Sequence, residues 1–578
     1  MSKTASMVAP LEVTSGSRVN AYWGSSELMW LQKDFSLSTR RAAAVMLQPA
    51  FAKSRHNSCQ IPDDAHHHHY FSTQVFPWLH FTELFRLAVI VAVLYPVQAL
   101  LNIFMKKKKK LPPGPKGFPI IGNLHMVLGK NLHQALHHIA KKHGPIMSMQ
   151  FGLVPVIVAS SPHAAELFLK KHDIAFANRP YNAAAQYIAY DHRDIVFGKY
   201  GPHWRNMRKL CKMKLLSNIK INSFRSMRKQ ELGIFVNFLK QAASNHVEVD
   251  LSAKFTSLST NMSCLMVFGK KYMDEEFDER GFKDIIQETL FIVASPNIGE
   301  FFPFLSVLDL QGFIARSKDL AKIFDEFFEK VIDGHVQSKE QNQTKDMVDT
   351  MMTIMQSGEA EFMFDRRDVK AVLLDLLIGS TDTVSTAIEW IFSELLRHPK
   401  VMKKLQNELE QAVGINRMVE ESDLERLEYL DMVIKEGLRL HPPSPLLTPH
   451  ESIEDCIVDG FDVPKGSRLF VNVWAIGRDP EAWPEPEKFM PERFVDSNID
   501  LRGHDFQLLP FGSGRRSCPG LQLGLTIVRL VLAQLVHCFD WELPNGMMPN
   551  HMDMTEKFGL VTPRAQHLMA IPTYRLNV

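Results

Sequence analysis

The sequence lacks several patterns that would assign it to a common class of protein. Its six cysteines show no paired spacing, which argues against a disulfide framework and a zinc site and fits a reducing compartment. A net charge of +2 at pH 7 gives no reason to expect a nucleic-acid partner. No glycine-rich dinucleotide fingerprint opens a helix after a strand, and no internal repeat occurs. The folded part of the 578-residue chain is therefore expected to be undivided.

One cysteine, Cys518, lies in a glycine-rich loop, 511–520, just before the apolar-periodic run 521–535. Pro519 suits the first turn of a helix, so Cys518 is expected at a helix entrance, where the positive end of the dipole favours a thiolate. The glycines admit a large flat ligand, and Arg516 can pair with a carboxylate on it. Together these features describe an axial ligand for haem iron. The alternative is a buried structural cysteine in a tight turn.

The loop resembles the haem-binding signature of the cytochrome P450 family, Phe-x-x-Gly-x-Arg-x-Cys-x-Gly. The matching positions are Phe511, Gly514, Arg516, Cys518 and Gly520. The resemblance runs from Leu111 onward and implies the family's fold, mostly α with a small β portion, and a haem b whose iron Cys518 ligates. Segments 474–480 and 552–556 look especially like the plant branch that modifies specialised metabolites.

The N-terminal part divides into an extension, an anchor and a hinge. Residues 1–70 show no sustained period and are predicted to be a disordered extension or a mispredicted start of the coding sequence. Two alternatives are a transit peptide, since acids are few before Asp63, and a metal site at the histidine run 66–69 with His56 and Cys59.

Residues 87–105 carry no charge and approach the ~20 residues that cross a bilayer as a helix. A buried core helix is the alternative. Five lysines follow, and within 106–116 the prolines after Leu111 stiffen a hinge similar to that of microsomal family members. By the positive-inside rule the catalytic domain, 117–578, is expected in the cytosol, anchored in the endoplasmic reticulum membrane.

Apolar periodicity predicts a helix-rich domain with strands at 146–152, 154–159, within 456–473 and near the C-terminus, and a polar linker at 338–346. The predicted helices are 163–171, 203–215, 222–242, 316–337, 365–396, 400–412, 423–440 and 520–537.

Two residues four apart on one helix face, Trp204 and Arg208, can address the same ligand. A packed surface patch is the alternative; in the family such a pair contacts a haem propionate. His450 occupies a place where many members have an arginine to the second propionate. Helix 203–215 is also strongly basic, which is either a solvated face or a docking patch for an acidic electron donor.

Polar residues interrupt the apolar helix 365–396 at 379–383. The segment looks like the family's Ala/Gly-Gly-x-Asp/Glu-Thr motif, which implies that Asp382 and Thr383 are the acid and alcohol that deliver protons to bound dioxygen. Ser380 stands where the family usually has glycine. A Thr383 hydroxyl that bonds only to its own helix is the alternative.

The Glu-x-x-Arg pair Glu436 and Arg439 is by itself a common ion pair. In the family it joins an arginine like Arg493 in a structural triad that braces the cysteine loop. Other residues are expected, by resemblance, to face the substrate: Leu446, Leu447, Thr448, Asp375, Ile378 and the turn Leu560-Val561.

The resemblance implies a monooxygenase that inserts one atom of O2 into a small apolar or aromatic plant metabolite. Its electrons are expected from NADPH through a separate membrane-bound flavoprotein reductase, because the chain has no dinucleotide fingerprint. Two alternatives are a same-fold isomerase or dehydratase that needs neither O2 nor NADPH, and a non-enzymatic haem-binding membrane protein.

Overall fold

The computed structural model describes residues 110–272, 281–337 and 345–577. The predicted extension 1–70, the predicted anchor 87–105, the basic residues 106–109 and most of the predicted linker 338–346 lie outside the described residues. The hinge after Leu111 is described, and the Ser148 N–H donates to the Pro113 carbonyl at 2.9 Å, which fixes the hinge against the first strand.

The described domain is mostly helical. Its α-helices in chain order are α1 Leu124–Val127, α2 Leu132–His143, α3 Pro162–Glu166, α4 Ala183–Ile188, α5 Pro202–Leu210, α6 Asn218–Ser223, α7 Arg225–Ser244, α8 Leu251–Phe268, α9 Phe282–Ala294, α10 Ile298–Phe301, α11 Phe313–Gln337, α12 Met347–Ser357, α13 Arg366–Arg397, α14 Pro399–Val413, α15 Glu428–Leu440, α16 Val473–Ile476 and α17 Leu521–Cys538. Single π-helical turns, Leu167–Lys171 and Cys211–Leu215, extend α3 and α5.

The strands form three small sheets. They are β1 Ile146–Phe151, β2 Val154–Ala159, β3 Val249–Asp250, β4 His450–Glu451, β5 Cys456–Val458, β6 Phe461–Val463, β7 Arg468–Val471, β8 Phe539–Glu542 and β9 Met569–Tyr574. The largest sheet has the order β1-β2-β7-β4, in which β2 and β7 are parallel and the other pairs antiparallel. The second has the order β3-β9-β8, and β5 pairs with β6 as a hairpin.

The long helix α13 crosses the interior and carries one wall of the site. It begins at a capping box in which Asp365 accepts from the N–H of Asp368 and the Asp368 carboxylate accepts from that of Asp365. Most of its apolar side chains are buried, and α8 and α17 pack against it. Within the described ranges, α13 and α17 are also long and apolar enough to cross a membrane, but both are mostly buried as core helices.

The main predicted helices and the strand pair at 146–159 occur close to their expected positions. Among the longer helices of the described residues, α8, α9 and α12 were not predicted, and neither were the short helices α1, α4, α10 and α16. In α8, buried Ser and Thr break the apolar pattern; Thr256 and Thr260 bond to carbonyls one turn back and thereby satisfy themselves within the helix. The predicted helix 520–537 is observed as Leu521–Cys538, with Gly520 as its N-cap, so Pro519 lies just before the first turn rather than in it.

Candidate active site

The loop that precedes α17 is closed by its own backbone. The Cys518 N–H donates to the Phe511 carbonyl at 2.9 Å, and a 3₁₀ turn at Gly514–Arg516 lies between them. From the neighbouring helix α5, the Arg208 guanidinium donates to the Ser517 carbonyl and lies 3.3 Å from the Ser517 hydroxyl. Cys518 is therefore held between a tight turn and an arginine of another helix.

Gly514 is required by packing rather than by a ligand. It has a φ of +67°, and a Cβ there would lie 2.5 Å from the Leu169 carbonyl oxygen and 2.7 Å from Asp173 Oδ1. Gly520 has no such restriction, since its Cβ would lie 3.8 Å from Cys518 Sγ and its φ is −88°. Of these two glycines, Gly520 is the one beside the sulfur.

The cysteine opens onto an interior cavity of about 360 Å³. Its side chain has accessible surface, but that surface faces the cavity, and burial raises the pKa of the Cys518 thiol. The Gly520 N–H and Arg208 oppose this shift. Burial therefore opposes the thiolate that the helix entrance favours; a bound metal ion would deprotonate the sulfur outright.

Four cationic or basic side chains line one side of the same cavity: Arg179, Arg208, His450 and Arg516. Burial lowers the pKa of each, and Arg208 lowers the pKa of Arg516 further, to about 9. Asp194 is the carboxylate that faces Arg179 and Arg516. Arginine does not give up its proton in proteins, so the three guanidiniums outnumber the two carboxyl groups of the cavity, Asp194 and Asp375, and leave a buried positive charge that an anionic ligand would balance.

These residues fit haem b. A cavity with a sulfur on one wall and surplus guanidinium charge beside it matches the iron and the two propionates of that group. Gly520 leaves space next to the sulfur, and apolar side chains line much of the rest of the cavity.

In the structure, each predicted propionate ligand also binds a backbone carbonyl. Trp204 Nε1 donates to Ile195 O at 3.0 Å, and His450 Nδ1 contacts Phe176 O at 2.8 Å. Arg516 donates to the carbonyls of three residues, Ala177, Ile195 and Gly198. Arg208, His450 and Arg516 line the cavity, whereas Trp204 lies behind Arg516.

The predicted acid, Asp382, and the predicted alcohol, Thr383, are neighbours on α13, but only Thr383 lines the cavity. Thr383 lines the cavity, and its hydroxyl donates to the Gly379 carbonyl at 2.7 Å. Asp382 is not among the cavity residues; burial raises its pKa, and Lys283 and Lys557 oppose the shift. The Ser380 hydroxyl lies 2.7 Å from the Ser263 hydroxyl of α8, so this departure from the family pattern ties two helices together.

The rest of the cavity wall is largely apolar. Five of the expected substrate contacts, together with Asp375, line it: Leu447, Thr448, Ile378, Leu560 and Val561. Leu446 does not; it packs instead against the small core cluster around Phe470 and Phe151. The positive φ of Leu447, +53°, turns the chain, so that Leu447 lines the cavity while Leu446 does not.

The structure brings Glu436, Arg439 and Arg493 together. Arg439 binds both oxygens of Glu436 at 2.8 and 2.9 Å, and Arg493 Nε lies 2.9 Å from Glu436 Oε1. Both arginines also donate to carbonyls within 484–488, and Glu436 accepts from the Met490 N–H. The direct contacts are therefore with the segment before the cysteine loop rather than with the loop itself.

Two buried residues of the site, Arg179 and Asp194, were not predicted from the sequence. Arg179 donates to the carbonyls of Thr448 and Val196 and lines the cavity beside His450. Asp194 accepts from the Phe197 N–H at 2.8 Å. Neither lies in a motif, and an isolated Arg or Asp in an irregular segment carries no periodic or spacing signal that would have found it.

Comparison with known proteins gives consistent matches. A family model described as Cytochrome P450 matches residues 112–569. Cytochrome P450 CYP736A12 of Panax ginseng is 52% identical over 479 residues, 82% of this chain and 95% of the relative. Flavonoid 3'-monooxygenase of Petunia hybrida is 38% identical over 495 residues, 83% and 96% of the two chains. Phenylacetaldehyde oxime monooxygenase CYP71AN24 of Prunus mume is 40% identical over 474 residues, 81% and 90%.

Proposed function

Since the chain belongs to the cytochrome P450 family and is a haem-dependent monooxygenase, we propose that it oxidises a small apolar or aromatic plant metabolite with electrons from NADPH, delivered by a separate flavoprotein reductase. The observation that most strongly supports this function is that one cavity is lined by Cys518, the buried guanidiniums and Thr383. Its otherwise largely apolar lining supports an apolar substrate, and no dinucleotide fingerprint in the sequence offers an internal NADPH site.

Haem bound here supplies the activation of O2. Cys518 would ligate the iron, and Arg208, Arg516, Arg179 and His450 would hold the propionates, with Trp204 supporting Arg516 from behind. These basic groups would orient the macrocycle by its carboxylates. The apolar wall formed by residues such as Leu447 and Val561 excludes water and positions the substrate beside the Thr383 hydroxyl.

Proton transfer is assigned to Thr383 and Asp382. The Thr383 hydroxyl lies on the cavity and can exchange its bond to the Gly379 carbonyl for one to a ligand or water. Asp382, on the adjacent face of α13, has a pKa raised by burial, which brings it closer to the range of a proton donor at neutral pH. We assign Asp382 the role of passing protons from the side of Lys283 and Lys557 towards Thr383.

We assign binding of the reductase to the protein surface formed by helix α5, next to the loop that carries Cys518. Helix α5 contacts the cysteine loop through Arg208 and exposes Arg205, Lys209, Lys212 and Lys214, counting its π-helical extension. Lys209 and Lys214 pair with Glu361 and Glu359 at 3.0 and 2.6 Å. These exposed pairs are weak and screened by salt, so an acidic partner can replace the two glutamates.

An apolar surface near the described N-terminus supports a membrane location. Phe118, Ile120 and Leu128 are exposed there. The β1–β2 turn bridges this segment to α10, because Gly122 pairs with Phe151 and the Leu153 N–H donates to Phe301 O at 3.0 Å. Val307 and Leu308, exposed just after α10, continue it. We infer that this face rests on the endoplasmic reticulum membrane, with residues 87–105 as the anchor and the catalytic domain in the cytosol.

The test compares turnover of a metabolite panel by the full chain with and without NADPH and a plant microsomal reductase. Products that form only with both support the proposal. Product formation that ignores both would indicate the isomerase or dehydratase, and the absence of any ligand-induced Soret shift would indicate a haem-binding protein. The reduced carbon monoxide difference spectrum is the companion measurement: Cys518→Ser should abolish the thiolate-ligated form, and Cys456→Ser, away from the cavity, should retain it.

A further inference from the structure

Two carboxyl groups in the cavity wall, those of Asp194 and Asp375, belong to no motif and to no step assigned above. Asp375 lies on α13 two turns before Thr383, and Asp194 lies in the irregular segment between α4 and α5. The two carboxyl groups accept from neighbouring N–H groups of one segment, and Asp194 lies close enough to Asp375 to raise the pKa of its carboxyl group. Two carboxyl groups can share a hydrogen bond only if one of them carries a proton.

The partners of the pair are backbone N–H groups of one short segment. Asp375 Oδ2 accepts from the N–H of Ile195 at 2.6 Å and of Val196 at 3.3 Å, and Asp194 Oδ2 accepts from that of Phe197 at 2.8 Å. Asp194 Oδ1 is buried and no donor group of the described residues reaches it. A proton held between the two carboxyls would satisfy that oxygen.

The carbonyl groups of the same segment accept hydrogen bonds from other side chains. Ile195 O accepts from Trp204 and Arg516, Val196 O from Arg179, and Gly198 O from Arg516. The chain that leads into the segment is strained, because Tyr190, Asp191 and His192 all have φ between +51° and +62°. The side-chain bonds hold residues 195–198 in place after this strained turn.

We propose that Asp194 and Asp375 form a positioning pair that shares one proton and holds residues 195–198 in place as a wall of the substrate cavity. The wall shapes the cavity because Ile195, Val196 and Phe197 line it. The charged and titratable groups that face the pair are Arg179, Arg516 and Cys211. Burial, and the second carboxyl beside it, raise the pKa of Asp375 and support the shared proton.

Asparagine substitutions test the shared proton. Asp375→Asn can accept from both N–H groups through its oxygen and donate its amide to Asp194, and Asp194→Asn can do the same in reverse. In the double variant both oxygens are engaged by the backbone, so the two amide groups would face each other with donors only. Each single change should therefore be tolerated, and the double change should not.

The measurement is hydrogen exchange of peptides covering 195–198 in the haem-loaded full chain. Each single asparagine variant should exchange within about threefold of the parent, and the double variant at least about tenfold faster, a loss of ~1.4 kcal/mol of local protection. Glu389→Gln, a buried carboxyl on the same helix outside the cavity, is the matched control and should leave this segment unchanged. Equal exchange in the single and double variants would overturn the proposal.

A second readout follows access to the cavity. The association rate of 4-phenylimidazole with the haem iron should rise in the double variant and not in the single variants, because the wall opens. An unchanged rate would contradict the assignment of 195–198 as a cavity wall. The carboxyl-pair proposal rests on the proposed function only in taking haem and a substrate as the ligands of the cavity. A missing carbon monoxide signature would therefore refute that function, whereas the exchange data judge the carboxyl pair alone.

Discussion

The Trp204 ring and the Arg516 guanidinium are stacked, with the guanidinium carbon 3.9 Å from the ring centroid, and both donate to the Ile195 carbonyl. A residue two positions before the sulfur ligand is thereby attached to a helix from the first half of the domain. The stacking is a cation–π contact in a buried setting, where such contacts are worth up to ~2 kcal/mol. It makes Trp204 a support for the guanidinium, while its Nε1–H binds the Ile195 carbonyl behind the cavity wall.

Replacement of Trp204 should separate the contribution of its Nε1–H bond from that of its stacking on Arg516. Trp204→Phe keeps a ring against Arg516 but removes the Nε1–H, and should lower the free energy of unfolding by ~0.5–1.5 kcal/mol. Trp204→Ala also removes the buried ring and should lower the free energy of unfolding by ~3–5 kcal/mol. This variant should also lose haem during gel filtration. Trp541→Phe is the control: it removes a similar bond, to the Leu535 carbonyl, far from the cavity lining, and should leave haem content unchanged.

Glu436→Gln should be among the most destabilising single changes in the domain. Glu436 and Arg439 are fully buried, and the substitution leaves two buried guanidiniums without their carboxylate. We expect a loss of ~3–5 kcal/mol, measured by denaturant unfolding of the full chain. Glu485→Gln, which breaks an exposed pair with Lys488, should change the stability by less than ~0.5 kcal/mol. Comparable losses in the two variants would show that the triad is not the stabilising feature.

Thr383→Ala should reduce the share of consumed NADPH that ends in product, with the remainder released as hydrogen peroxide. Thr383→Ser restores the hydroxyl and should recover most of the coupling. Thr381→Ala is a matched control on the same helix, since its hydroxyl bonds to Leu377 at 2.8 Å and does not line the cavity. If Thr381→Ala uncouples turnover as strongly as Thr383→Ala, the effect belongs to the helix and not to the proposed proton transfer.

The contact between His335 and Asp346 should make stability depend on pH above neutrality. A hydrogen bond to Asp346 raises the pKa of His335 to about 9, above its ordinary value of 6.5. The stabilisation is therefore complete below pH 6.5 and is lost as the pH rises from 6.5 to about 9. Because the His335 side chain keeps some contact with solvent, screening should limit this stabilisation to ~1 kcal/mol.

Asp346→Asn tests this dependence while keeping a side chain that caps α12. The fall in melting temperature between pH 6.5 and 9 should become shallower in this variant than in the parent. His163→Gln, at an exposed histidine, should follow the parent curve. An unchanged slope in Asp346→Asn would exclude this contact as the source.

The sequence predicted the parts of the site that have a fixed spacing. Cys518, Arg208 and Thr383 all line one cavity although they come from three distant segments, and Glu436 meets Arg493. Arg179, Asp194 and the unpredicted helix α8 were not predictable in this way, because tertiary packing alone brings an isolated charge or a serine-rich helix into a core. The position of Trp204 behind Arg516, rather than on the cavity, also depends on how α5 packs and not on the spacing of its residues.

The close packing of Gly514 against Leu169 and Asp173 has a consequence for how the domain is made. The two sides of this contact come from nearly opposite ends of the described domain, so the loop that carries Cys518 can dock only when synthesis is almost complete. Such long-range contacts form slowly, because the chain entropy must be lost before the contact is gained. The N-terminal surface, including the Leu169 turn, should therefore be folded before the cysteine loop arrives, and cofactor capture should be a late step in biogenesis.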